Sequence, residues 1–137
     1  MRRIVPDVIG SQRLLKLPPT ATVREAAKKM AARAVRSVLV CQRGRLQGIF
    51  TGTDLIKVVA DGRDLDATPL SAVMTAAPQT VASDEPAVEA LRRMHAGRFR
   101  HLPVVDAGKL VGILSRRDFI GIEVDEIERE ERVWERI

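Results

Sequence analysis

The chain contains no tyrosine, one tryptophan and three phenylalanines. So few aromatic rings argue against the stacking platform on which single-stranded nucleic acids are held. The core must instead be built from alanine, valine, leucine and isoleucine. The single cysteine, Cys41, excludes an internal disulfide, and two histidines make no Cys/His cluster of zinc-ligand spacing. No apolar run approaches the ~20 residues of a membrane-spanning helix. No hydrophobic stretch follows Arg2 and Arg3, so neither a secretory nor a twin-arginine signal fits, and the cytoplasm is the expected compartment. There is no GxGxxG or Walker-type loop, and neither His95 nor His101 stands in a motif with a partnered nucleophile. Catalysis and a bound metal are therefore not expected.

Charge is present in quantity but unevenly placed. The net charge is +5; residues 1–121 carry +9 and residues 122–137 carry −4. A basic body suits small anions or nucleic acid, or is simply a solvated surface. At 137 residues and 45% hydrophobic, the chain fits one compact module of two small halves.

The halves are legible as a repeat. Gly48-Ile49-Phe50-Thr51-Gly52-Thr53-Asp54 matches Gly112-Ile113-Leu114-Ser115-Arg116-Arg117-Asp118: a glycine, two apolar residues, a hydroxyl residue, two free positions and an aspartate. Without gaps, Arg36–Val40 falls on Arg100–Val104, and Gly44-Arg45-Leu46 on Gly108-Lys109-Leu110. The period of about 64 residues is longer than that of common solenoid repeats and indicates a duplicated domain. An apolar strand ends at Phe50 or Leu114 and a helix is expected to begin just after. Thr51…Asp54 and Ser115…Asp118 then form capping-box-like pairs. The same geometry could serve a ligand. Free N–H groups at a helix start suit a phosphate, and a carboxylate can take the two hydroxyls of a ribose.

These motifs, with the Arg-His-Leu-Pro-Val-Val-Asp run at Arg100–Asp106 and the Val-Met-Thr run at Val73–Thr75, resemble the cystathionine-β-synthase (CBS) domain family. Its members occur in tandem pairs, known as Bateman modules, that sense adenosine nucleotides. The resemblance runs from about Asp7 to about Gly121. It implies an α+β fold of two pseudo-symmetric β-α-β-β-α repeats packed as one globular module: 7–62, a linker at 63–69, and 70–121. It also implies one ligand cleft per repeat, no required cofactor, AMP, ADP or ATP (or NAD or S-adenosylmethionine) as regulatory ligand, and a homodimer.

By that resemblance Asp118 holds the ribose hydroxyls, Ser115 the sugar or phosphate, and Arg116 and Arg117 the phosphate oxygens. His101, Leu102 and Pro103 line the adenine side. His101 has a plain structural reading as a hydrogen-bonded strand-end residue. In the first repeat Thr51 and Asp54 keep the motif, Gly52 and Thr53 replace the two arginines, and Val38 takes the place of Leu102. Unequal sites are expected, with the second preferring the more phosphorylated ligand or binding more tightly and the first weak or empty.

Along the chain, Val5–Ile9 corresponds to the apolar turn Leu70–Met74. Leu14–Leu17 is expected to be a strand, with a counterpart near Thr80-Val81. Thr22 and Glu25 begin a helix with the stripe Ala26, Ala27, Met30, Ala31 and Ala34. Ser37–Cys41 and Leu46–Phe50 read as strands around a Gly44 turn, with Cys41 a small apolar filler. Leu55, Ile56, Val58 and Val59 give the next helix its apolar face and Gly62 stops it. In the second repeat Ser83 or Asp84 caps a helix with Ala87, Ala90, Leu91 and Met94 inward and His95 outward. Residues 122–137 suggest a charged amphipathic helix, with Asp125/Arg129 and Glu128/Arg132 at i,i+4 spacing and Ile120, Ile127 and Trp134 at heptad spacing. It would pack on its own body or on a second subunit, or it would fray.

The leading expectation is a stand-alone regulatory module that senses adenosine nucleotides in the clefts between its repeats and signals to a partner protein. A ligand-free structural dimerisation module and a basic nucleic-acid-binding protein are the alternatives.

Overall fold

The computed structural model describes residues 2–10, 12–119, 127 and 129–131. They divide into two compact units, and the division does not follow the chain in order. Residues 13–78 form the first-copy unit, while residues 1–12 join residues 79–137 in the second-copy unit. The chain is α+β, as the family resemblance implies.

In the first-copy unit, β1 (Lys16–Leu17) pairs in parallel with β2 (Ser37–Gln42), β2 in antiparallel with β3 (Arg45–Thr51), and β3 in antiparallel with β4 (Thr75–Ala76). Arg43 and Gly44, both at positive φ (52° and 77°), make the two-residue turn between β2 and β3. Helix α1 (Val23–Arg33) starts at Thr22, whose hydroxyl accepts the Glu25 N–H at 3.2 Å. Val23, Ala26 and Met30 are its buried face. Ala31 and Ala34 stand outside that face, contrary to the expected stripe: Ala31 is exposed, and Ala34 is the left-handed cap that ends the helix. Helix α2 (Gly52–Ala60) ends before Gly62, whose φ of 69° suits a helix stop. Its apolar face is narrower than expected. Val58 is buried, whereas Ile56 and Val59 remain 70% and 59% exposed. Four apolar residues in five positions span too wide an arc of a helix to face one core.

The core of this unit gathers Leu17, Val23, Met30, Val38, Val40 and Phe50 with others beneath the two helices. The segment 63–69, expected as a plain linker, also closes α1. Thr68 C=O accepts the Val23 N–H and Leu65 C=O the Arg24 N–H, both at 3.0 Å. Those are orphan donors of the first helical turn.

The second-copy unit repeats the plan with fewer strands. Helix α3 (Ala87–Gly97) buries Ala87, Val88, Ala90, Leu91 and Met94. Strands β5 (His101–Asp106) and β6 (Lys109–Ser115) form its hairpin, in the register of β2 and β3. The strand expected near Thr80-Val81 is reduced to a single parallel bridge, Val81 to Val104. Neither Ser83 nor Asp84 caps α3. Pro86 precedes it without a side-chain cap, and the Ala87 N–H donates instead to Arg2 C=O at 2.8 Å. Ser83 N–H is committed to Asp106 Oδ1 at 2.9 Å. Ile4 N–H donates to Glu85 C=O and Val5 N–H to Ser83 C=O, which ties the N-terminal segment to this unit. Ile4 and Ile9 lie in its core with Leu91, Met94, Leu102 and Leu114.

Part of the acidic tail is described. Ile127 and residues 129–131 are helical, and Ile127 is buried in the same core. Arg92 Nε donates to Glu130 Oε2 at 3.1 Å, and His95 meets Glu131. At these positions the tail packs on its own body. The expectations for Ile120, Asp125, Glu128, Arg132 and Trp134 lie outside the described residues.

Candidate functional site

Each repeated motif begins where backbones crowd. Gly48 and Gly112 sit next to a β-bulge and pair with Val40 and Val104. A Cβ at Gly48 would stand 2.6 Å from the Met74 sulfur and 2.7 Å from Thr75 C=O, because β4 passes directly over it. At Gly112 it would stand 2.9 Å from both Gln12 Oε1 and Ile9 Cδ1. Gly48 is therefore a packing requirement, whereas the close neighbours of Gly112 are side-chain ends that can shift. In the second copy no strand takes the place of β4 among the described residues. The Gln12 side-chain amide takes that edge instead, donating to Ile113 C=O at 3.1 Å and accepting from Ile113 N–H at 2.9 Å.

The hydroxyl residue and the aspartate close a box. Thr51 N–H and Thr51 Oγ1 donate to Asp54 Oδ2 at 2.9 and 3.1 Å, and Asp54 N–H donates back to Thr51 Oγ1 at 3.4 Å. Gly52 N–H goes to Arg36 C=O at 3.0 Å. Of the donors that a helix start leaves open, only that of Thr53 remains. The expectation of several free N–H groups for a phosphate is thus corrected: the strand end and the box consume them. The second copy behaves alike. Ser115 N–H donates to Asp118 Oδ2 at 2.6 Å, and Arg116 N–H to Arg100 C=O at 2.9 Å. Here the element after the strand is a single 3₁₀ turn, Arg116–Asp118, in place of the expected α-helix start.

This geometry leaves three recognition resources in each copy. One carboxylate oxygen, Oδ1, stays outside the box and can still accept hydrogen bonds from hydroxyls. The Thr51 or Ser115 hydroxyl is partly buried beside it. Exposed side chains at the free positions supply the third resource, and here the copies differ. Arg116 and Arg117 are exposed and make no ion pair among the described residues, whereas Gly52 and Thr53 carry no charge. Planar guanidinium forks suit phosphate oxygens.

The other predicted site residues are placed as follows. His101 pairs with Ser115 across the β5–β6 ladder and is partly buried. Leu102 and Val38 are fully buried in the cores of their units, so their side chains serve packing, and only their backbone can face a ligand. Pro103 is buried and, one residue on from Leu102, points to the opposite face of the hairpin. Two residues escaped the motif reading. Arg36 and Arg100 bring their carbonyls against the residue after the motif hydroxyl, and both are exposed. They occupy one position of the repeat, a signal present in the alignment of the two copies.

Little else resembles a reactive centre. Burial raises the Cys41 thiol, with Lys16 opposing, so the thiolate that would be its reactive form is disfavoured. No group of three or more candidate metal ligands occurs among the described residues. No described helix is long and apolar enough to cross a membrane.

A model of the CBS domain family matches the chain twice, over residues 5–61 and 70–125. A CBS domain-containing protein of Arabidopsis thaliana is 43% identical over 124 residues, covering 89% of this chain but only 22% of that protein. The chain therefore spans about a fifth of the length of that relative. An uncharacterised 17.7 kDa protein of Acidianus ambivalens is 37% identical over 112 residues, which is 80% of this chain and 67% of the relative. Among solved structures, a CBS domain protein from Pyrobaculum aerophilum complexed with AMP matches with a TM-score of 0.83 at 30% identity, covering 93% of this chain and 99% of that one. A CBS domain pair in complex with 5′-methylthioadenosine and S-adenosyl-L-methionine matches with a TM-score of 0.76 at 26% identity, covering 84% of this chain and 94% of that one.

Proposed function

The chain belongs to the CBS domain family, and from that premise we propose that it is a regulatory module, not an enzyme, whose ligand is an adenosine nucleotide. The observation that carries this reading is the repeated box. Each copy holds one aspartate at a strand end with one oxygen committed to the backbone and the other available to a ribose diol. The AMP-bound relative, 30% identical over most of this chain, supports the same ligand class. The second copy takes the ligand with more phosphate, AMP extended to ADP or ATP, because Arg116 and Arg117 lie within its motif. The first copy, with Gly52 and Thr53, binds more weakly. NAD and S-adenosylmethionine share the ribose and belong in the same test.

The signal is a change in packing that ligand binding favours, passed to a partner protein in the cytoplasm, where such nucleotides are abundant. The module works as a homodimer. The exposed Ile56 and Val59 on α2 are the apolar surface that supports this reading.

Calorimetric titration with AMP, ADP, ATP, NAD and S-adenosylmethionine tests the proposal, using the wild type, Asp54→Ala and Asp118→Ala. The expected result is saturable binding of one adenosine ligand that Asp118→Ala weakens by at least about tenfold and Asp54→Ala changes less. One observation favours a second reading. Because the boxes satisfy themselves without a ligand, silence across the panel would leave them as helix caps in a structural dimerisation module.

A further inference from the structure

The turn between β2 and β3 carries a cluster of exposed polar side chains, separate from the motifs. Gln42, Arg43, Arg45 and Gln47 line an open depression of 530 Å³. All four are exposed, and among the described residues neither arginine has a carboxylate partner. The backbone places them together. Gln42 and Arg45 are opposite each other in the ladder, so they share a face. Gln47, the extra residue of the bulge opposite Cys41, lines the same depression. Arg43, at φ 52°, projects from the tight turn itself.

The repeat supplies an internal control. Sixty-four positions on, the same places hold Asp106, Ala107, Lys109 and Val111. There the acid is already used, accepting Ser83 N–H, and the bulge residue is an exposed valine. Fold alone does not demand the basic and amide side chains of the first copy, since the second makes the same hairpin without them.

We propose that this hairpin face is the docking site for an acidic, extended segment of a partner protein. Two unpaired guanidinium groups match carboxylates in fork geometry. The flanking glutamines both donate and accept, so they can satisfy peptide amides as well as carboxylates. A nucleic acid fits less well, because the depression has no aromatic side chain on which a base could stack.

The test is fluorescence anisotropy of the full chain with a labelled peptide bearing glutamate at alternate positions. Arg43→Ala/Arg45→Ala is expected to weaken binding by at least about tenfold. Gln47→Ala, which leaves net charge unchanged, should weaken it by about threefold. Lys28→Ala/Lys29→Ala removes two exposed charges from α1 instead and should stay within about twofold of wild type. Melting temperatures check that each variant is folded, and Gly44, which the turn requires, is untouched. Three outcomes would overturn the proposal: no saturable peptide binding, equal losses in the arginine and lysine variants, or a labelled oligothymidylate bound more tightly through the same arginines.

Discussion

The two copies make the same box on hairpins of the same register and differ in what covers the motif glycine and in the charge at the free positions. In the first, a real strand, β4, crosses the motif glycine; in the second, one glutamine side chain does that work. In the first, the free positions are uncharged; in the second they are arginines. Among the described residues, the first copy has two unpaired arginines on its hairpin turn, and the second has two at the box. The hydrogen-bonded pattern that closes a strand end is common to both copies, and the placement of charge is not. The lesson is that the motif fixes local geometry, while its neighbours decide what each copy can bind.

The largest expected break in this comparison comes from the glycines. Gly48→Ala pushes a methyl group against Thr75 C=O, a backbone atom that cannot step aside, and should cost about 2–3 kcal/mol in chemical denaturation. Gly112→Ala meets only the ends of the Gln12 and Ile9 side chains, which can move, and should cost less than about 1 kcal/mol. Equal costs would show that the two motifs are equally crowded. Next is a transplant. Gly52→Arg/Thr53→Arg should raise the ATP affinity of the first copy by about tenfold in calorimetry against an Asp118→Ala background, and Arg116→Gly/Arg117→Thr should lower that of the second by a similar factor.

A smaller effect is expected at Gln12. Gln12→Ala removes two hydrogen bonds from an exposed sheet edge and should cost about 1 kcal/mol. Hydrogen exchange at Ile113 should speed up while that at Ile49, held by β4, does not.

The smallest effect concerns acid. Hydrogen bonds from Ser83 hold Asp106 below the usual carboxylate range, and the Arg92 hydrogen bond does the same for Glu130. A carboxylate with a lowered folded pKa stabilises the fold above its unfolded value, about 4, and that contribution fades as pH falls through the folded value. Both groups lie in the second-copy unit. Below about pH 4, amide signals of Val104 should therefore broaden or shift before those of Val40, and Asp106→Asn should reduce the difference.

Much of this organisation could be read from residues. The repeat of Gly48–Asp54 at Gly112–Asp118, the hairpin turns at Gly44 and Gly108, the cap at Thr22 and the stop at Gly62 all depend on side-chain chemistry within a few positions. Such local preferences leave a mark in any sequence. The capping of α3 did not show itself, because its acceptor is the backbone carbonyl of Arg2, and a carbonyl is common to every residue. Strand β4 is two residues long, too short for any alternation to register. The exposure of Ile56 and Val59 was hidden for another reason: composition counts apolar residues and does not say which of them a nine-residue helix turns outward.

The candidate site divides in the same way. Thr51, Asp54, Ser115 and Asp118 were legible as caps because a hydroxyl and a carboxylate three positions apart, directly after an apolar strand, match a capping box. The number of donors left over was not legible. That depended on Arg36 and Arg100 presenting their carbonyls across the sheet.

Sequence by itself determined the duplication, the two boxes and the unequal charge around them, since each is written in side chains close together along the chain. Only the tertiary structure decided that residues 1–12 complete the second-copy unit, that a glutamine amide stands in for a strand, and that Arg43 and Arg45 line one depression with Gln42 and Gln47. These depend on backbone hydrogen bonds and ladder register between distant segments, which the free energy of the whole fold selects and no local pattern records.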